Sequence, residues 1–403
     1  MQFKYIFGAA AAAVAVKAQE ANSTNLTSLL AGNSELSALN TLLSAYPDVA
    51  GALANATNIT IFAPSNIALQ SANESGALST LSAVGGAVQA LLQYHVLGST
   101  IYASGISETP AFAPTLLTNE TYTNVTGGQV VEARVVDGGV SIISGLKNNV
   151  SVTTPNLNFT GGVVHIIDGL LTIPPGVGEA LTAANLTALL GAVEATNLTS
   201  ALSTTPDITI FAPNNAAFQA IGSAVANLTV EQAAAILEYH VINGTVAYSS
   251  TLTNGSVPAL GGGNLTITVT DGEVFVNQAR VINADILLAN GVLHVIDSVL
   301  KINDTTAGNS TQTQPANPYS ASAGTEVPYT SGVASATTTI AALVTSNSAV
   351  ASGYVAPTGA VGVNSAGNPS ASASASSSAG AAAVTAGVGA AALFGGAAFI
   401  AGW

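Results

Sequence analysis

The residues best suited to acid–base or metal chemistry in this chain are four histidines, and they are all the histidines it has. Two follow a tyrosine, as Tyr94-His95 and Tyr239-His240, and two precede an acid by three residues, as His165…Asp168 and His294…Asp297. A His-Asp pair can orient an imidazole as a general base or begin a metal site. On a strand, positions three apart point to opposite faces, so neither pair closes on one ion. The chain has no cysteine, which removes thiolate ligands and thiol nucleophiles. Serine is abundant, but no Gly-x-Ser-x-Gly elbow presents one, and a Ser-His-Asp group would have to assemble from distant segments. The expected role of the histidines is therefore hydrogen bonding within the domain, tying a helical part to a sheet. Tyr94 and Tyr239 read as packed aromatics with satisfied hydroxyls. No catalytic group, metal or cofactor is expected.

The elements that position these residues are written twice, in one order. TIFAPSNIALQ (Thr60 to Gln70) returns as TIFAPNNAAFQ (Thr209 to Gln219), LLQYHV (Leu91 to Val96) as ILEYHV (Ile236 to Val241), and GGVVHIIDGLL (Gly161 to Leu171) as NGVLHVIDSVL (Asn290 to Leu300). The offsets shrink from 149 residues (Phe62 to Phe211) to 145 (His95 to His240) and 129 (His165 to His294), so the first copy carries extra loop. A period this long is a tandem pair of whole domains, because solenoid repeats run at about 20 to 50 residues.

Within each copy a helical pattern comes first: Leu26, Leu29, Leu30, Leu36, Leu39, Leu42 and Leu43, and later Leu186, Leu189, Leu190 and Val193. A short strand follows, Ile59 to Ala63 or Ile208 to Ala212, stopped by Pro64 or Pro213. Asn66 or Asn215 then sits where a helix could be capped. Alternating apolar residues around Asp271-Gly272, and around Asp137-Gly138-Gly139, predict hairpins. Helices first and strands after, without βαβ alternation, argue an α+β fold.

The boxes resemble those of the fasciclin (FAS1) family. Its T-x-F-A-P-x-N-x-A-F pattern is matched by Thr209, Phe211, Ala212, Pro213, Asn215, Ala217 and Phe218, and nearly as well by Thr60 to Leu69. The Tyr-His pair and the closing V-x-H-x-I-D box (Val163 to Asp168, Val292 to Asp297) occur in both copies. The resemblance implies two tandem domains, 22–173 and 178–302, each a β-sandwich or wedge with helices wrapped around it. It also implies a role in cell adhesion or matrix contact. Some relatives use an Asp-Ile pair before the closing box in adhesion, which points to Asp285-Ile286; the first copy has Asn156-Leu157 there. No Arg-Gly-Asp occurs, and the layout looks more like a fungal surface protein than an animal matrix one.

Both ends carry targeting patterns. Residues 1–18 read as a signal peptide, with Lys4 before an apolar run and cleavage after Ala18. Residues 303–378, rich in Ser, Thr, Ala, Gly and Pro, read as a disordered glycosylated stalk. Residues 379–403 end in an apolar tail without cations and read as a GPI-attachment propeptide, with Ser378 or Ser377 as the attachment residue. In a secreted chain the sequons are N-glycosylation sites: Asn22, Asn25, Asn55, Asn58, Asn73, Asn119, Asn124, Asn149, Asn158, Asn185, Asn197, Asn227, Asn243, Asn254, Asn264, Asn303 and Asn309. Sugar would supply the solubility that a mean hydropathy of +0.50 and 6% charged residues do not.

With 20 acidic and 6 basic residues there is no basic stripe, so nucleic acid is excluded as a partner. The expected partners are extracellular matrix, cell-wall polysaccharide or surface proteins of neighbouring cells, with the membrane reached through a GPI anchor. The location follows: the secretory route to the outer leaflet of the plasma membrane or the cell wall. The alternative is a secreted or vacuolar glycoprotein that binds a polysaccharide or small apolar ligand without catalysis. The single tryptophan, Trp403, lies in the tail, so no Trp platform for sugar is available.

Overall fold

A computed structural model of the chain describes residues 24–333. The signal peptide, Asn22, residues 334–378 of the stalk, Ser377, Ser378 and the propeptide lie outside the described residues. In the first domain, the helices are α1 (Leu26–Gly32), α2 (Ser37–Ser44), α3 (Pro47–Asn55), α4 (Asn66–Glu74), α5 (Ala77–Ser82) and α6 (Ala87–Tyr94). The strands are β1 (Ile59–Pro64), β2 (Val96–Leu97), β3 (Ala111–Pro114), β4 (Val130–Val136), β5 (Gly139–Ile143), β6 (Asn149–Phe159) and β7 (Gly162–Ile167). They form one sheet in the order β2-β1-β7-β6-β5-β4-β3, antiparallel except for the parallel pair β1–β7.

The second domain repeats this plan. Its helices are α7 (Val177–Ala183), α8 (Thr187–Ala195), α9 (Thr199–Thr204), α10 (Asn215–Ala220), α11 (Gly222–Val225) and α12 (Val230–Tyr239). Its strands are β8 (Ile208–Pro213), β9 (Val241–Ile242), β10 (Gly255–Pro258), β11 (Asn264–Thr270), β12 (Glu273–Val276), β13 (Ala279–Leu288) and β14 (Gly291–Ile296). The sheet order is β10-β11-β12-β13-β14-β8-β9, again with one parallel pair, β14–β8.

Burial on both faces explains the uniform apolar runs. Every residue of β1 and of β8 is buried, as a strand covered on two sides requires. One face packs against the helices and the other fills the interior of the folded sheet, which gives each domain two apolar clusters. The sheet turns back on itself at the long strands β6 and β13, whose register slips twice near Asn156 and Asp285. Those two residues have φ of 62° and 60°, the left-handed signature of a bulge. Both sequence-predicted hairpins form, with Asp137-Gly138 and Asp271-Gly272 all at positive φ, as a two-residue type I′ turn demands.

Two expectations need correcting. The helix after each Phe-Ala-Pro box is capped one residue early, by Ser65 accepting from Ala68 N and by Asn214 accepting from Ala217 N. Asn66 and Asn215 instead reach back to the starts of α2 and α8: Asn66 accepts from Ala38 N (2.8 Å) and donates to Ser34 O (2.7 Å), while Asn215 accepts from Ala188 N (3.0 Å) and donates to Asn185 O (2.9 Å). The second correction concerns the stalk. Residues 303–333 are not free: Tyr319, Ala321, Val327, Tyr329 and Val333 pack on the second domain's helical core. The low-complexity composition hid these aromatic and aliphatic anchors, which are spaced among small residues.

The two domains touch, and the first copy's extra chain makes the contact. Fifteen residues (115–129) join β3 to β4, where five (259–263) join β10 to β11. From this loop Asn124 N donates to Ala289 O (2.7 Å), Thr126 N to Asp207 Oδ1 (2.8 Å), and Gln129 Nε2 to Leu288 O (3.0 Å). Leu146, held at a φ of 56° in a second added turn (Gly145–Lys147), is buried in the second domain's core. Phe112 and Tyr248 stack across the junction at 4.1 Å.

Truncating a buried leucine costs about 2–5 kcal/mol, and here the loss falls on the junction. Leu146→Ala combined with Asp207→Ala should split one cooperative calorimetric transition into two. A single unshifted transition would show that the docking contributes nothing to stability.

Candidate functional site

Each sequence box places its polar residue against backbone. His95 follows the last turn of α6, where its Nδ1 lies 2.7 Å from Leu91 O and its Nε2 accepts from Leu171 N at 3.0 Å. His240 repeats this with Ile236 O (2.7 Å) and Leu300 N (2.9 Å). A carbonyl only accepts and a peptide N–H only donates, so both rings are neutral with the proton on Nδ1. Each one joins α6 or α12 to the chain leaving the central strand.

His165 and His294 use the other tautomer. Their Nδ1 atoms accept from the bulge amides, Asn156 N and Asp285 N, both at 3.2 Å. Their Nε2 atoms donate to Ile101 O (2.9 Å) and Ala247 O (2.8 Å). Those same two residues are held from the other side by the first box: Thr60 Oγ1 accepts from Ile101 N (2.8 Å) and Thr209 Oγ1 from Ala247 N (2.8 Å). Phe62 stacks on His165 and Phe211 on His294. Thus the first and third boxes grip one residue of the chain that leaves β2 or β9.

Asp168 and Asp297 end the central strands. Each one's Oδ1 accepts from the neighbouring long strand, at Ser151 N (2.7 Å) and Arg280 N (2.9 Å), while its own amide donates back to the same residue at 3.1 Å. They do not face the histidines. The tyrosines are fully buried, with Tyr94 donating to Val130 O (2.9 Å) and Tyr239 to Asn264 O (2.7 Å).

The Asp285-Ile286 pair is the one expectation about contact residues that this geometry overturns. Asp285 is 3% exposed and Ile286 fully buried. The Asp285 carboxylate accepts from Ser249 N at 2.7 Å and from the Ser249 hydroxyl, so it closes the turn that follows β9. Its Oδ1 also lies 4.0 Å from His294 Nδ1, but that nitrogen is already accepting the bulge amide, so the contact is not an ion pair. Left-handed backbone favours Asn or Asp, and this explains why Asn156 stands at the same place in the first copy. Sequence pattern alone missed these bulges, because an Asn or Asp inside a strand reads as a surface residue.

Burial pushes the imidazole pKa of His95 and His240 down from 6.5 to about 4, with the helix carbonyl opposing only in part. His165 and His294 are lowered for the same reason; for His294 the nearby Asp285 opposes. With both nitrogens of all four rings bonded to backbone, none has a lone pair or proton free for a substrate. Among the described residues no group of three or more His, Asp or Glu is placed to hold a metal ion. The four described cations are also engaged internally: Arg134 and Lys147 with Glu132, Arg280 with Glu273, and Lys301 with Pro318 O.

Most described sequons present their asparagine to solvent. Asn124 does not: its Nδ2, the atom that would carry sugar, donates to Thr204 O across the domain junction at 3.0 Å.

The match of one family pattern to two successive stretches agrees with the two-domain architecture. The fasciclin domain pattern matches residues 34–174 and 184–302. A fasciclin-like arabinogalactan protein of Arthroderma benhamiae is 35% identical over 321 residues, covering 76% of this chain and 74% of that protein. The fasciclin-like arabinogalactan protein elcF of Phaeosphaeria nodorum is 31% identical, covering 68% of this chain and 88% of its own length. Human periostin is 32% identical over 148 residues, 35% of this chain and 18% of periostin. Among solved structures, a FAS1 domain pair from the insect cell adhesion molecule fasciclin I covers 66% of this chain and 98% of its own, at 21% identity and a TM-score of 0.32.

Two predictions follow from the site. The depressed histidines stay neutral in the fold but take up protons when unfolded below about pH 6.5. Stability is therefore full above pH 6.5 and falls as pH drops toward 4, by about 3 kcal/mol for each of His95 and His240 once both states are protonated. Urea midpoints at pH 7 and pH 4.5 test this; in His95→Gln/His240→Gln the acid loss should shrink, and an equal loss would show that other groups carry it. Separately, glycopeptide mapping of the folded secreted protein should find Asn124 bare and its neighbour Asn119 occupied. A glycan on Asn124 would mean that the domains do not dock as described.

Proposed function

The chain belongs to the fasciclin domain family, and from that premise we propose that it is a glycosylated contact protein of the outer cell surface. It mediates adhesion or attachment to matrix and wall, and it does no catalysis. The observation that carries this reading is the complete commitment of the histidines to backbone hydrogen bonds. The groups that could have done chemistry hold the fold, which leaves the surface to do the work. The names of its fungal relatives support a wall or surface glycoprotein.

With its four described cations engaged internally, the surface is acidic and offers little to an anionic polymer. Its partners are neutral polysaccharide and the surface proteins of neighbouring cells. Each contact is weak, and two domains on many tethered copies multiply it. The leader at residues 1–18 and the terminal tail with Ser377 or Ser378 as attachment residue support secretion and GPI anchoring. No helix among the described residues is long and apolar enough to cross a membrane.

Phospholipase C treatment of intact cells expressing a copy tagged after Ala18 tests this reading. Release of a glycosidase-sensitive species, together with loss of surface attachment by the treated cells, is the expected result. Retention in an internal membrane, or release without any change in attachment, would overturn it.

A further inference from the structure

The two copies differ in what covers one corner of the fold. In the second domain the corner beside α10 and α11 is filled by the protein's own chain: Gly324 N donates to Gln219 O (2.8 Å), Ser223 N to Ser322 O (3.1 Å), and Tyr319 OH to Leu300 O (2.9 Å). The boxes align Gln219 with Gln70 and Leu300 with Leu171. At that place in the first domain no described residue fills the corner, and a groove of about 620 Å³ lies there. Helices α4 and α5 form one wall and the chain after β7 the floor, while Glu179 of α7 and Ala289 form the other wall.

The groove is apolar inside and acidic at its edge. Ala68, Ala72, Leu81, Leu91 and Leu171 are buried beneath it, and Val84, 53% exposed, makes an apolar lip. Two carboxylates line it, Glu179 and Asp168. The Glu179 side chain has no hydrogen-bond or ion-pair partner among the described residues, and partial burial pushes its carboxyl pKa up. Asp168 gives one oxygen to Ser151 N (2.7 Å). No described cation answers either acid. Lys147, next in sequence to the lining residues Leu146 and Asn148, turns to Glu132 instead (3.4 Å), and the other three are engaged elsewhere. A carboxylate drawn partly out of water gains most from an opposite charge that arrives with its own apolar body.

We propose that this groove binds an apolar small molecule carrying one protonated amine, with its hydrocarbon on the alanine and leucine floor and its ammonium group at Glu179. Sites for ligands of this kind span about 300–1,000 Å³ and combine apolar walls with a few polar groups. An anionic amphiphile would meet two carboxylates, and an uncharged one would leave Glu179 without a partner. The floor belongs to the first domain and Glu179 to the second, so hydrocarbon and amine are held by different domains.

The rim selects a small molecule over a folded partner. Ser75 and Thr121 line the groove, and they are the hydroxyl residues of the sequons at Asn73 and Asn119, both of which are exposed. Sugars on these asparagines flank the mouth and keep a protein surface from the floor. That step rests on the glycosylated surface reading; the groove and its charge do not.

Decylamine, decanol and decanoate offer one apolar chain with three end groups. Titrated by calorimetry into the full-length glycosylated protein at neutral pH, below self-association, decylamine should bind at one site per chain. Its affinity should exceed that of decanol on the order of tenfold, with decanoate weaker than both, because a hydrogen bond to a charged group contributes about 1.5–3 kcal/mol. Glu179→Gln should remove most of the amine's advantage, and Ser71→Trp, a bulky group at an exposed lining position, should weaken decylamine severalfold. Neither side chain makes a described hydrogen bond, so both variants keep the fold. Equal affinity for amine and alcohol, an amine preference that survives Glu179→Gln, or binding untouched by Ser71→Trp overturns the proposal. Absence of binding also overturns it, and is the result expected if a protein or another part of the chain fills the groove. The readout does not depend on cell attachment, so this inference and the proposed surface role fail separately.

Discussion

Each domain depends on a neutral imidazole closing a β-bulge. The sheet turns back on itself only because β6 and β13 slip register, and the slip leaves an amide at Asn156 or Asp285 without a ladder partner. A buried amide left unpaired costs about 1–3 kcal/mol. His165 and His294 accept that amide on one side of a rigid ring and donate to the β2 or β9 exit on the other. Protonation would set an N–H against an N–H, so the ring must stay neutral, and its full burial ensures that. A lysine or carboxylate could fill only one of the two roles.

The same logic runs through the other boxes. His95 and His240 tie a helix end to the chain leaving the central strand, and Asp168 and Asp297 extend the ladder past its last residue. Thr60 and Thr209 hold the residue that the histidines also hold. Side chains that look catalytic by type are here substitutes for backbone partners, used where the sheet bends, ends or meets a helix. A chain with only 6% charged residues keeps its buried polar groups for these corners.

Much of this was readable from residue pattern. The duplication, the α+β order, both Asp-Gly hairpins and the structural use of the histidines follow from spacing and turn chemistry. What pattern could not supply was partner identity across distance. Asn66 and Asn215 look like caps because they stand beside a proline-terminated strand, yet they bond to a helix 28 and 27 residues earlier in the chain. Asp285 looks like a surface acid because nothing in the alternation marks a bulge. Residues 303–333 look like stalk because small residues dominate them, although Tyr319, Val327, Tyr329 and Val333 pack on the second domain's core.

The differences between the copies are as informative as the likeness. The histidine, threonine and acid contacts that stand in for backbone partners recur in both copies. The lengths that changed are at the edges, where the first copy's longer loop and added turn reach over to cover the second. Without that contact the pair would be two beads on a linker. With it, Leu288 and Ala289 at the end of β13 become part of the first domain's surroundings, and Glu179 and Ala289 form one wall of a groove whose other wall is α4 and α5. A groove assembled from both domains exists only while they remain docked, because the loop contacts that join the domains also fix the distance between its two walls.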